Sequence, residues 1–536
     1  MRLLPKPHES ARHLAAILFS FGAIASLGLV WAPDFLPMVD AANHLARLHI
    51  LVAPATSPLR GMYRVVWRPI PDLGLDLAYG ALHGLISPET TLRLCVSLAF
   101  MTILGAVAVI QRALFGRLTY AAALTPLFLF GLPWHMGYIN FLMSLSLALA
   151  GVAAYIAAGR KLTPLLIPIL GVLGAMMCLC HIAGFAGFIL LLGGLHLSDA
   201  TSVRRWSQLV ALIRKGLPLA LVFAPGVALY LWCEKPAFAG GMAYGSAKIR
   251  ILFAAVLATG GMRDLEVLIF LLVMFIVAWR EKFISLWPGG KPVLWLFALV
   301  ILLVPNRIGH AVDVDARLDS LFFLMLLAIS NFRLPSGNGV ARLLLGMLCA
   351  LLIVQMARVA VQENAYSRTV AQFRARAAMI VPGSKLLVGI DDAASATCAG
   401  TDQNFVSPEL LRHLGSFATI DRSAFMPLIF AGRGMQPIRL AHDFAALAPA
   451  DPLMLAALSR SWLIQAANPA DIPTLRQTLK RLQWTDYFLN WPQKFDYLLM
   501  LDSACATNPW PGLLRRIGNG DGFTLYQIIR PRPILR

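Results

Sequence analysis

Two short stretches carry side chains that could move a proton and hold an anion. The first reads Pro33-Asp34-Phe35-Leu36-Pro37-Met38-Val39-Asp40, then Ala41-Ala42-Asn43-His44-Leu45-Ala46-Arg47-Leu48-His49. No helix breaker occurs from Asp40 until Pro54, so the spacing predicts a helix of about three to four turns. Asp40, His44 and Arg47 recur on one face of it, with Leu45, Leu48 and Val52 on another. A carboxylate there could take a hydroxyl proton, while an imidazole and a guanidinium could hold a phosphate. The plainer alternative makes Asp40 a helix cap and Arg47 a lipid-headgroup contact.

The second stretch, Pro305-Asn306-Arg307-Ile308-Gly309-His310-Ala311-Val312-Asp313-Val314-Asp315-Ala316-Arg317, packs five ionisable side chains between two apolar runs. Arg307 and Arg317 offer planar, permanently charged forks suited to phosphate. His310 could donate to a phosphate oxygen. Asp313 and Asp315 could orient these groups or bind a divalent metal. The alternative is a solvated loop of internal ion pairs. His135 and Tyr138 flank a short turn expected on the same side of the chain, and His181 opens a helix there; each could equally be a satisfied structural residue. No phosphate-binding glycine loop, nucleophile elbow or HExxH pattern occurs, so nucleotide hydrolysis, serine hydrolysis and zinc proteolysis lack support.

What must position these groups is a membrane scaffold. Of 536 residues 58% are hydrophobic and only 14% charged, against roughly 25% charged in ordinary globular chains. Apolar runs recur at the length that crosses a hydrocarbon core of about 30 Å. The expected spans lie near 14–31, 91–110, 118–134, 139–158, 162–177, 182–198, 216–233, 264–279, 292–304, 318–332 and 342–361, or about eleven transmembrane helices. Many spans follow the first, which is therefore read as a retained helix rather than a cleaved leader. The net charge of +19 is distributed in small groups. Arg112 and Arg117, Arg160 and Lys161, Arg204 to Lys215, Arg280 to Lys291, and Arg333 and Arg342 fall in alternate loops, as a cytoplasmic N-terminus requires. Such charge serves topology and anionic lipid, not nucleic acid.

The chain divides into a transmembrane domain, 1–361, with a long first outer loop, 33–90, and a C-terminal extracytoplasmic α/β domain, 362–536. Lys385–Ile390, Phe495–Leu501 and Phe523–Ile529 read as strands. Pro408–Leu414, Leu475–Leu482 and Leu513–Arg516 read as helices, with a turn over Gly518–Gly522. Of seven cysteines, only Cys398 and Cys505 fall in that domain; in an oxidising periplasm they could pair, or remain two free thiols.

With an acidic residue soon after the first helix, about eleven spans and an outer α/β domain, the chain resembles the GT-C superfamily of membrane glycosyltransferases. The resemblance implies a polytopic α-helical membrane fold in the bacterial inner membrane and a polyprenyl-phosphate sugar as donor. It implies Asp40 as catalytic base, supported by Asp34, and an inverting transfer to a glycan, lipid or protein acceptor at the outer face. Donor phosphate would be held by His44, Arg47, Arg307, His310 and Arg317, with His135, His181, Asp313 and Asp315 in support. No cofactor is required, though a divalent metal is compatible. Two other classes fit the composition: a non-catalytic subunit of envelope polysaccharide assembly, and a secondary transporter.

Overall fold

A computed structural model describes residues 9–198, 205–236, 241–244, 263–309, 311–391, 406–449, 458–481, 486–502 and 507–529. His310, Cys398 and Cys505 lie outside them, so the expected disulfide does too. Helices cover every expected span but one: Glu9–Trp31, Pro88–Phe115, Ile139–Ala157, Leu166–Cys180, Ile182–Leu197, Trp206–Trp232, Arg263–Arg280, Lys291–Leu303, Val314–Ala328 and Gly339–Ala377. Among the described residues, five are long and apolar enough to cross a bilayer: His13–Trp31, Pro88–Phe115, Ile139–Ala157, Trp206–Trp232 and Gly339–Ala377. The span expected at 118–134 is instead three short helices, Tyr120–Ala123, Thr125–Leu129 and Leu132–Met136. Pro126 and Pro133 explain the breaks, because each lacks the N–H that a continuing helix needs. Extended backbone at His181 separates Leu166–Cys180 from Ile182–Leu197, giving two helices and not one kinked helix.

The loops sort to two ends of the bundle. At one end Gln111 Nε2 donates to the carbonyls of Leu327 (2.9 Å) and Ser330 (3.1 Å), and Ile284–Leu286 pairs with Ser330–Phe332. Arg160 lies 5.7 Å from the centre of the Trp287 ring at this end. Near the opposite end of the helix that carries Gln111, Arg93 donates to the carbonyls of Val30 (2.9 Å) and Asp34 (2.8 Å). The helix between Arg93 and Gln111 spans about 27 Å at roughly 1.5 Å per residue. The basic loops thus gather at one end and the first loop at the other, as the alternation demands. Leu217, Leu221, Ile269 and Phe270 are exposed, an apolar surface that hydrocarbon would cover. Trp206 and Trp232, at the two ends of their helix, are exposed as well, where aromatic rings favour the membrane interface.

The change of composition at 361 is not a break in the backbone. The helix Gly339–Ala377 runs through it and packs against the C-terminal sheet, where Phe373 meets Phe523 edge to face at 5.5 Å. That sheet has five strands in the order Leu514–Gly520, Phe523–Ile528, Tyr497–Leu501, Leu386–Ile390 and Leu458–Ser459. Leu386–Ile390 runs parallel to both its neighbours, whereas Phe523–Ile528 is antiparallel to both of its own. Leu386, Leu387 and the whole of Tyr497–Leu501 are buried, which is why these runs are continuously apolar and not alternating.

Two expected helices differ. Residues 408–414 form turns, and the helix follows at Ser416–Arg422. Of the helix expected at Leu513–Arg516, Leu514 to Arg516 belong to a strand and Leu513 to the turn before it, because this segment pairs with the last strand as a hairpin, Leu514 opposite Ile528. Cross-strand pairing there outweighs the local signal.

The first loop is clasped between the two parts. Tyr63–Val65 pairs antiparallel with Ile438–Leu440. The helix Ala41–Val52 buries Ala41 to Leu48 and Ile50, against Pro88–Phe115 on one side and Ser416–Arg422 on the other.

Candidate active site

Asp40 stands at the N-terminus of Ala41–Val52, yet its carboxylate makes no capping hydrogen bond. The capping alternative is therefore not what the side chain does. Its backbone is held instead: Asp40 N–H donates to Met136 carbonyl at 3.0 Å, and Val39 N–H to His135 carbonyl at 3.0 Å. Gly137 makes this clasp possible. It has φ +76°, and a Cβ there would lie 3.1 Å from Met38 Cβ and 3.2 Å from Asp40 N, so only glycine suits the position. The Asp40 side chain keeps 13% of its surface open, and His413 Nε2 lies 3.4 Å from its Oδ1.

A polar cluster that includes the Arg317 guanidinium shares this neighbourhood through Tyr138. The Tyr138 hydroxyl donates to Asp313 Oδ2 at 2.9 Å, and its ring lies 4.1 Å beneath the Arg317 guanidinium. Burial pushes the Tyr138 phenol up, and Asp40 is near enough for its charge to add to that rise. Arg317 Nη1 meets His181 Nε2. His181 Nδ1 already accepts the Ala183 N–H at 3.1 Å, which leaves the ring proton on Nε2. Two donors therefore converge, and the buried Arg317 Nε has no hydrogen-bond partner among the described residues. Converging donors without an acceptor describe a place for an anionic oxygen.

Other expected site residues are placed differently. Arg47 is fully buried and holds Asp76 through Nε (2.8 Å) and Nη2 (2.9 Å). His44 is buried, with Nε2 3.1 Å from the Gly137 carbonyl and its ring against Phe430. Burial, and then the charge of Arg47, lower its pKa to about 3, so it is a neutral ring. The Asp76 and Gly137 contacts hold both side chains in the interior, while Arg47 Nη1 and His44 Nδ1 have no hydrogen-bond partner among the described residues. His135 is buried and its pKa is lowered by that burial; its carbonyl, not its ring, supports the Asp40 segment. Asp34 is exposed, with its carbonyl on Arg93. Arg307 returns its Nε to the Gly309 carbonyl at 3.1 Å and lies in a short strand beside Met242–Ala243. Asp315 is buried, its Oδ1 accepting the Ala316 N–H at 3.0 Å. Among the described residues no three of His, Cys, Asp and Glu converge as a metal site.

Sequence reasoning missed several polar residues here. Asn43, beside His44 in the motif, bridges to His413 and to the backbone of Leu428 and Phe430. Asp72, at φ 106°, accepts from Gln436 Nε2 at 3.0 Å, while its carbonyl accepts from Asn140. Burial raises the Asp72 carboxyl to about 6, against the opposing charge of Arg47. A lone histidine in Leu410-Leu411-Arg412-His413-Leu414 bears no spacing relation to Asp40; only chain folding joins them.

No family model and no characterised protein sequence matches the chain. Among solved structures, the chain is similar to arabinofuranosyltransferase AftD from Mycobacteria, over 97% of this chain and 40% of that one, at 14% identity and TM-score 0.46. It is similar to apo ArnT from Cupriavidus metallidurans over 97% and 99% of the two chains, at 12% identity and TM-score 0.42. To ArnT from the same organism bound to undecaprenyl phosphate it is similar over 97% and 98%, at 10% identity and TM-score 0.48.

Proposed function

We propose that this chain is a GT-C-type membrane glycosyltransferase. It moves a sugar from a polyprenyl-phosphate donor to a hydroxyl of an envelope glycan, lipid or protein acceptor, at the outer face of the bacterial inner membrane. One observation carries the reading: a carboxylate not used for capping, Asp40, shares one neighbourhood, through Tyr138, with two converging donors, the Arg317 guanidinium and the N–H of a neutral His181. Asp40 takes the acceptor hydroxyl proton as the oxygen bonds to the anomeric carbon. The bond from that carbon to the phosphate oxygen breaks, and its electron pair leaves on the phosphate. Arg317, with the His181 N–H, meets the charge that develops there. Attack opposite the leaving phosphate inverts the anomeric carbon. In this reading the protein's own guanidinium and imidazole N–H meet the leaving-group charge, so no cofactor is required, and a divalent metal remains compatible.

The test is purified chain in lipid nanodiscs, incubated with a panel of polyprenyl-phosphate sugars and candidate acceptors, with release of polyprenyl phosphate followed. Asp40→Asn nearly preserves shape and should lower turnover about 10²–10⁴-fold, the usual range for losing a general base. Full activity in that variant, at normal expression, would end the assignment. Complete complementation of a deletion strain by Asp40→Ala would point to a non-catalytic subunit.

A further inference from the structure

The contact between Asp40 and the C-terminal domain has a defined proton order, which follows from Asn43. The Phe430 N–H donates to Asn43 Oδ1 at 2.9 Å, so the carboxamide oxygen faces that amide. Its Nδ2 then faces two acceptors, the Leu428 carbonyl at 2.6 Å and His413 Nδ1 at 3.0 Å. A ring nitrogen that accepts carries no proton, so the His413 proton sits on Nε2. That nitrogen lies 3.4 Å from Asp40 Oδ1. The ring is buried and is set edge to face against Phe430 at 5.2 Å, so packing as well as hydrogen bonding holds it in place.

We infer that His413 is a positioning residue which the C-terminal domain supplies to Asp40. Its Nε2–H, 3.4 Å from Oδ1, engages that oxygen in the substrate complex and leaves Oδ2 to receive the proton of the acceptor hydroxyl, while Asn43 sets the tautomer. The inference rests on the reading of Asp40 as base. It also makes docking of the C-terminal domain a condition for activity, since Asn43 and His413 meet only across that contact. The 3.4 Å separation is long for a hydrogen bond, and such contacts commonly tighten once substrate is bound.

The test has two arms, both on the full chain in nanodiscs. In the first, nitrogen-15 histidine NMR is recorded, with the His413 signal assigned by its loss in His413→Gln. A neutral ring protonated at Nε2 is expected; a ring protonated at Nδ1, or at both nitrogens, would overturn the arrangement. This arm stands even if no tested donor is turned over, an outcome that would count against the glycosyltransferase reading alone. In the second arm, His413→Phe should lower kcat by up to about 10²-fold with donor KM unchanged, the scale set by displacing a reacting group by about 1 Å. His413→Gln keeps an N–H donor and should recover most of that loss. Equal losses in the two variants would mark a purely structural residue and refute the proposal, as would wild-type kcat in His413→Phe.

Discussion

Arg47 and Asp76 provide the sharpest test of where the motif's side chains go. Both side chains have zero exposure, and two hydrogen bonds of 2.8 and 2.9 Å join them. Asp76→Asn removes the charge that compensates a guanidinium sealed from water, and an amide oxygen can replace only part of the two-pronged contact. Breaking a buried pair from one side costs about 3–5 kcal/mol, whereas replacing both partners by apolar residues of similar volume ranges from neutral to about 4 kcal/mol stabilising. Asp76→Asn should therefore be strongly destabilised, while Arg47→Met/Asp76→Leu should approach or exceed wild type. The coupling, several kcal/mol, is read from a double-mutant cycle by equilibrium unfolding of the detergent-purified chain. A double variant as unstable as Asp76→Asn, or a harmless Asp76→Asn, would refute the reasoning. Donor KM in the double variant adds a functional check. It should be unchanged, and a large rise would return Arg47 to the phosphate.

Arg317→Ala should raise donor KM and lower kcat, with Arg317→Lys recovering only part, because a lysine lacks the planar fork; unchanged donor kinetics in both would remove Arg317 from the phosphate site. Gly137→Ala should destabilise by about 1–2 kcal/mol from the left-handed backbone alone and lower kcat by displacing the Asp40 segment, so wild-type turnover there would argue against the clasp. His44 is held neutral with a pKa of about 3, against an ordinary 6.5. Its stabilising contribution is thus present above pH 6.5 and lost as pH falls toward 3, and His44→Gln should flatten the acid decline of the thermal midpoint. Asp72 has the opposite sign. Its carboxyl, raised from 3.8 to about 6, favours folding below pH 3.8 and loses that contribution as pH rises through 6. Asp72→Asn should therefore raise the midpoint above pH 6; an unchanged midpoint would mean that Asp72 is already well solvated.

The positions of ten of the eleven expected spans and the strand cores were legible in the residues themselves. Hydrophobic length and the alternation of basic loops depend on neighbours in the chain, and the medium around each segment acts on them directly. The helix bearing Asp40, His44 and Arg47 was legible for the same reason. Which of those three side chains remains available was not. Periodicity puts them on one face, but burial of Ala41–Val52 between Pro88–Phe115 and Ser416–Arg422 decides what each one meets. Arg47 finds Asp76, His44 finds the Gly137 carbonyl, and Asp40 stays partly open. The hairpin strand Leu514–Gly520 was settled the same way, by a cross-strand partner, whereas the breaks at 118–134 trace to Pro126 and Pro133 in the sequence itself. His413 and Asn43 lie 370 positions apart. No local pattern links them, because the pair exists only through the three-dimensional contact of two domains. The sequence alone thus determined a membrane scaffold and the segment that carries the carboxylate. Tertiary structure decided that Arg47 is taken up by Asp76 and that His413 Nε2 stands 3.4 Å from the Asp40 carboxylate, because those depend on desolvation and on contacts between residues far apart in the chain.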